Sequence, residues 1–333
     1  MGEPARVSVE EPGVVALRVE NISKRYGKFQ AIDQVSFEIR KGEVLGFLGP
    51  NGAGKTTTMR IITGFFPPSE GKVFIGDVNL HQKPREAKKR IGYMPESVSI
   101  YPDMRVQEFL SFVAQIKGVP GRGRKAHLDQ KMDRCGLTEV RRKLIGHLSK
   151  GFRQRVGIAQ ALVGDPDVIV LDEPTNGLDP KQIIEIRNLL RELGRERTLI
   201  LSTHILPEVS MVCTRVLIMN QGRIVASGTS EELEAGLKKA FEIYVLIGSA
   251  KVKDQALDLL GTLPGVEKVT VIEEKNDQIG ISLMISKGED PRPEISRLFV
   301  QHQIPLLEIR SGRLSLEDIF MKIVLRETPV KPL

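Results

Sequence analysis

The chain has 333 residues, 41% of them hydrophobic, with 49 Lys and Arg against 42 Asp and Glu and only two cysteines. That is enough chain for about two domains with real cores, and the make-up excludes disordered and collagen-like classes. The net charge of +7 admits phosphorylated ligands, nucleic acid or an anionic membrane surface as partners, and its placement along the chain has to choose among them.

Residues up to about Val15 are polar, non-periodic and rich in Pro and Glu, which reads as a loose tail over 1–15. With Glu3, Glu10 and Glu11 and no apolar core, this start does not read as a secretory leader. From Ala16 onward, short aliphatic runs alternate with helical stretches: Val44 to Leu48, Val168 to Leu171 and Thr198 to Ser202. Continuous apolar runs of this length are strands buried on both faces, and their alternation with helices predicts a parallel α/β sheet over 16–240. They fall far short of the roughly 18 apolar residues that cross a bilayer, so the chain is expected to be cytoplasmic. Between Glu96 and Gly146 the period is helical, as in Val106, Phe109, Leu110 and Val113, which predicts a helical insertion over about 97–163. Cys135 and Cys213 lack any Cys-x-x-Cys or Cys/His neighbourhood and are expected to be ordinary reduced thiols.

The last hundred residues change character. Glu242 to Ile247, Val266 to Glu273, Ile279 to Ser286 and Pro305 to Ile309 read as strands, with helices over Lys253 to Leu263 and Arg292 to Gln303. The order β-α-β-β-α-β predicts a small ferredoxin-like α+β domain over 241–333, closed by an amphipathic helix from Leu316 to Leu325.

Three motifs carry chemistry. Gly49-Pro50-Asn51-Gly52-Ala53-Gly54-Lys55-Thr56, directly after a strand and followed by a helix opening at Thr57, is a full G-x-x-x-x-G-K-[ST] phosphate loop. Glycine lets the backbone curl and present N–H groups to phosphate oxygens. Lys55 then reaches the β- and γ-phosphates, and the Thr56 hydroxyl suits Mg²⁺. The helix N-terminus adds favourable potential for an anion. Asp172 and Glu173 end an apolar strand, at the edge where open α/β sheets bind ligands. Asp172 suits a carboxylate on Mg²⁺, and Glu173 a group that polarises an attacking water. Ser149 and Gly151 in Leu148-Ser149-Lys150-Gly151-Phe152-Arg153-Gln154-Arg155 open a helix, where an ordinary cap competes with a second anion site.

Together these motifs resemble the ATP-binding subunits of ABC transporters, a P-loop NTPase fold with a helical insertion, and the resemblance runs over about Ala16 to Leu233. It implies an ATPase that uses ATP and Mg²⁺, in which Ser149 and Gly151 close over the γ-phosphate held by a second subunit. It further implies Tyr26 stacking on adenine, Gly177-Leu178-Asp179 crossing between subunits, and His204 as the switch histidine beside the γ-phosphate. A homodimer suffices, and a heterodimer remains open. One position departs from the family: Glu96 stands where a glutamine ligates Mg²⁺, so a carboxylate would take that place. Ser315 to Lys322, S-L-E-D-I-F-M-K, resembles the ending of exporter subunits that serve a six-helix membrane partner in drug, sodium, polysaccharide or gliding-motility-associated systems. The implied partner is an integral membrane permease, the implied location the inner face of the cell membrane, and no nucleic acid is expected. The alternative is a soluble ABC-type ATPase acting on ribosomes or nucleic acid. Residues 81–155 carry 18 Lys and Arg against 7 Asp and Glu, so the positive excess is expected to form a docking surface there.

Overall fold

The computed structural model describes residues 14–229, 231–233, 241–275, 277–285 and 290–312. The expected tail therefore lies almost wholly outside the described residues, as do the helix expected over Leu316 to Leu325 and the Ser315 to Lys322 stretch. The chain divides into two compact units between Thr229 and Ser230, earlier than the boundary expected at 240. The reason is local: strands β9 (Arg215–Asn220) and β10 (Arg223–Gly228) form an antiparallel hairpin that ends the first unit's sheet.

The centre of the first unit is a six-stranded sheet. It contains β3 (Val44–Leu48), β6 (Ile91–Met94), β7 (Val168–Asp172) and β8 (Thr198–Thr203), in the order β10-β9-β3-β8-β7-β6. All neighbours are parallel except the β9–β10 pair. β3, β7 and β8 are buried at every position, which is why they read as unbroken apolar runs. A second, antiparallel sheet ordered β2-β1-β4-β5 joins β1 (Val15–Tyr26), β2 (Phe29–Arg40), β4 (Glu70–Ile75) and the short β5 (Val78–Asn79). Periodicity did not announce this sheet: β1 bends through register shifts against β2, so its buried positions do not alternate cleanly.

Helix α1 (Lys55–Ile62) follows β3, and α2 (Pro84–Lys89) precedes β6. Between β6 and β7 come α3 (Val106–Ile116), α4 (Arg124–Arg134) and α5 (Lys150–Leu162), with two short 3₁₀ turns. Phe109, Leu110, Leu128, Met132, Val156 and Ile158 from these helices share one buried cluster with Ile169 and Leu171 of β7, so the insertion is welded to the sheet rather than hung from it. After β7 come α6 (Pro180–Gly194) and, beyond β8, α7 (Leu206–Val212).

The second unit has the predicted order of elements: β11 (Phe241–Ile247), α8 (Lys253–Gly261), β12 (Val266–Lys275), β13 (Gln278–Ile285), α9 (Arg292–Gln301) and β14 (Leu306–Gly312). Its antiparallel sheet is ordered β12-β13-β11-β14, with its own core around Ile243, Val245, Ile281, Leu283, Leu260 and Phe299.

Candidate nucleotide site

Because β3, β8 and β7 are adjacent and parallel, their C-terminal ends meet at one edge. The phosphate loop leaves β3 there, Asp172 and Glu173 leave β7, and His204 leaves β8. The loop needs its glycines for space. A Cβ on Gly49 would stand 2.5 Å from the Met219 carbonyl oxygen, and one on Gly54, at φ +102°, 2.9 Å from that of Ala31. Gly54 caps α1, with no side chain standing over the first turn, so the first N–H groups of the helix remain open to an anion.

A cavity of about 580 Å³ covers this edge, lined by Asn51, Gly52, Ala53, Gly54, Lys55, Thr56 and Thr57 of the loop and by Glu96, Glu173 and His204. Tyr26, 47% exposed, and Phe29 form its outer wall; they are paired across the Gly27-Lys28 turn between β1 and β2. Tyr26 is steadied by an edge contact to Phe66 at 6.2 Å and by Lys24 over its ring at 5.6 Å. Gly49 and Pro50 belong to the loop without lining the cavity.

Three charged groups meet at this edge, of which Lys55 and Glu173 line the cavity. Lys55 is buried, donates to the carbonyls of Gly49 at 2.8 Å and Pro50 at 3.2 Å, and lies 3.7 Å from Glu173 Oε1. Burial lowers its pKa against the pull of Glu173 and Asp172. Glu173 is buried, sits at φ +50°, and its Oε2 is 2.9 Å from His204 Nδ1. A left-handed backbone at a non-glycine is costly and is kept where the surroundings hold it; here the Glu173 N–H donates to the carbonyl and hydroxyl oxygens of Ser202 at 3.1 and 3.2 Å. Burial raises the Glu173 pKa, opposed by His204 and Lys55. Burial likewise raises that of Asp172, opposed by hydrogen bonds from Ser202 and Thr56. The Asp172 Oδ1 accepts from Ser202 Oγ and from Thr56 Oγ1 at 3.4 Å, while its Oδ2 is buried with no hydrogen-bond partner.

That orphaned oxygen fits a divalent cation. Mg²⁺ binds through one or two carboxylates plus substrate phosphates rather than through an all-protein cage, and among the described residues no cluster of three or more His, Cys, Asp or Glu offers such a cage. The Thr56 hydroxyl lies beside Asp172, and Glu96, at the cavity wall, accepts from Asn176 Nδ2 at 3.1 Å.

The profile of the family described as "ABC transporter" matches residues 32–176. A second, "AAA domain, putative AbiEii toxin, Type IV TA system", matches 144–211 within the same unit. The uncharacterized ABC transporter ATP-binding protein YhcH of Bacillus subtilis is 35% identical, over 92% of this chain and 95% of its own length. The chain belongs to the ATP-binding subunits of ABC transporters. The bacitracin transport ATP-binding protein BcrA of Bacillus licheniformis is 31% identical over 92% of this chain and 97% of its own. Among solved structures, the dimeric structure of MJ0796, a bacterial ABC transporter cassette, superposes with a TM-score of 0.59 at 26% identity, over 64% of this chain and 98% of that one.

As a member of that family the chain is a nucleotide-binding ATPase. Its own fold gathers the loop, Tyr26, Asp172, Glu173, His204 and Glu96 at one edge. Ser149, Gly151 and Asp179 do not line this cavity. Ser149 caps α5, its hydroxyl accepting from the Phe152 N–H at 3.4 Å, and Asp179 caps α6, accepting from the Gln182 N–H at 2.9 Å. Sequence reading missed Phe29, Asn176 and Ser202. Phe29 was within reach, since an aromatic three residues beyond Tyr26 across a glycine turn pairs with it in a hairpin. Nothing local marks Ser202, whose partners lie thirty residues back in the chain.

Proposed function

We propose that this chain powers an ABC exporter as a pair of head-to-tail copies, with Glu173 as the general base for ATP hydrolysis. The observation that carries this reading is the buried Glu173 carboxylate held 2.9 Å from His204 Nδ1 on the cavity floor beside the phosphate loop. Tyr26 stacks on the adenine, the loop N–H groups and Lys55 hold the phosphates, and Glu173 takes the proton from water while His204 fixes its orientation. Catalysis here is mostly positioning and charge stabilisation, as in phosphoryl transfer generally. Thr56, Asp172 and Glu96 would hold Mg²⁺, which supplies neutralisation of the charge on the β- and γ-phosphate oxygens.

Ser149 and Gly151 lie outside the cavity of their own chain, which supports a second copy completing each site; MJ0796 is described as a dimer. A membrane partner is supported by a cleft of about 340 Å³ between the sheet and the insertion, where Tyr101, Phe112 and Ile116 are exposed apolar side chains. The exporter class rests on the resemblance of Ser315 to Lys322 and on relatives such as the bacitracin transport protein. No helix among the described residues is long and apolar enough to cross a membrane, which accords with a pathway formed by the partner.

The test is Glu173→Gln in the full-length protein. ATP binding is expected to stay at the wild-type level, turnover to fall by about 10²-fold or more, and an ATP-bound dimer to accumulate in size-exclusion chromatography. Wild-type turnover would remove Glu173 from the role of base.

A further inference from the structure

Outside the cavity, one buried acid joins the two segments that carry its reacting groups. Glu208 on α7 is 1% exposed. Its Oε1 accepts from the Thr175 hydroxyl and its Oε2 from the Thr203 hydroxyl at 2.8 Å. Thr175 is two residues beyond Glu173, and Thr203 is the residue before His204. The Thr203 hydroxyl also accepts from the Ile205 N–H at 3.0 Å, so its proton is directed at Glu208 and its rotation is fixed. Arg187 of α6 lies 3.7 Å from Glu208 Oε1, with its own Nε buried and unpartnered among the described residues. The neighbouring Asn176 then reaches Glu96.

We propose that Glu208 is a positioning residue for hydrolysis: it clamps the Thr175 and Thr203 segments together and thereby holds Glu173 and His204 at their mutual distance. Energetics favour this over a purely structural role. A buried carboxylate compensated by two hydroxyls and one guanidinium at 3.7 Å returns little net stability, because the cost of desolvating it offsets what those contacts return. What it supplies is direction, since two carboxylate oxygens accepting from two hydroxyls define the spacing of two otherwise separate loops. A displacement of about 1 Å at reacting groups costs up to about 10²-fold in rate.

This inference rests on Glu173 and His204 acting as proposed above, and the experiment keeps the two apart. Steady-state ATPase rates and nucleotide affinity are measured for the full-length wild type, Glu208→Gln, Thr203→Val, the double variant and Glu173→Gln. Glu208→Gln is expected to lower kcat at least about tenfold, with KM and nucleotide affinity within about twofold. Thr203→Val is expected to do the same, and the double variant to be no slower than the slower single, because the two act as one unit. Wild-type kcat in Glu208→Gln, a KM that rises in step with the loss of kcat, or multiplied losses in the double variant would each overturn the role. If Glu208→Gln does not fold, Thr203→Val decides alone, since it leaves the carboxylate its Thr175 and Arg187 partners: slow turnover at normal KM upholds the clamp, and wild-type turnover overturns it. Full activity of Glu173→Gln would instead overturn the assignment of the base; a dead Glu173→Gln beside a fully active Glu208→Gln would overturn only the clamp.

Discussion

Asp172 shows what the site costs the chain that carries it. It is wholly buried, burial raises its pKa, and one oxygen has no partner. A carboxyl whose folded pKa lies above its unfolded value stabilises the fold below the unfolded pKa, and that contribution is lost as pH rises through the folded pKa. At neutral pH without ligand, Asp172 is therefore a burden on the fold, and the same holds in direction for Glu173. Asp172→Asn should raise the Tm of the nucleotide-free protein at pH 7 to 8, by about 2–4 °C for each kcal/mol relieved in a unit the size of the first one. The gap should close as pH falls toward the ordinary aspartate range. A pH series of thermal unfolding checks it, and a lower Tm for the variant at pH 8 would refute it. The residues that carry this cost were legible in the sequence, because two acids end an apolar run in a chain that also carries a phosphate loop; alone they would pass for a solvated strand end. Ser202 and Glu208 were not: a serine and a glutamate acquire their roles only when β7, β8 and α7 come together, and no spacing within one element encodes that.

At the scale of elements, the helical insertion is fastened to the sheet by charge as well as by packing. Lys131 of α4 is 3% exposed and donates to Asp165 Oδ1 at 2.7 Å; Arg197 donates to the same oxygen at 2.8 Å. His127, also on α4, accepts from the Gly164 N–H through Nε2 at 3.1 Å and lies 3.5 Å from Asp165 Oδ2 through Nδ1. Both contacts are met by the neutral ring with its proton on Nδ1, in keeping with burial, helped by Lys131, lowering the His127 pKa. Asp165→Asn would leave the buried Lys131 ammonium without its counter-charge. Because Asp165 itself is half exposed, the cost should be about 1–3 kcal/mol rather than the 3–5 of a fully buried pair. Hydrogen exchange locates it: amides of α4 should lose protection while those of β3 and β8 keep theirs, and unchanged exchange in α4 would refute the latch. The helices of the insertion could be read from their period and the buried strands from their unbroken apolar runs; the bent β1 and β2, with register shifts and charged exposed positions, could not.

At the scale of the whole molecule, the positive excess over residues 81–155 takes on a different meaning. Arg90 pairs with Asp77 and Asp167, Lys131 with Asp165, Arg134 with Glu196 and Arg155 with Glu185. All these acids lie outside that stretch, so part of a charge segregation that looks like a docking surface in the sequence is internal complementarity between residues 81–155 and the rest of their unit. Arg141, paired with Asp129, is likewise committed within the insertion, whereas Arg85, Lys88, Lys89, Arg122, Lys125, Arg142, Lys143 and Lys150 are exposed and remain candidates for a partner surface. Among the described residues, the second unit contributes none of these pairs. Every residue lining the nucleotide cavity lies between Tyr26 and His204, and the residues beyond Thr229 have a separate core. A chain ending at Thr229 should therefore bind ATP within about twofold of the full-length affinity, a difference under about 0.5 kcal/mol, as read by titration with a fluorescent nucleotide. If the truncated chain folds, as judged by a cooperative thermal transition, and yet binds more than about tenfold more weakly, then residues 230–333 act on the site. In that case the second unit has a part in nucleotide binding.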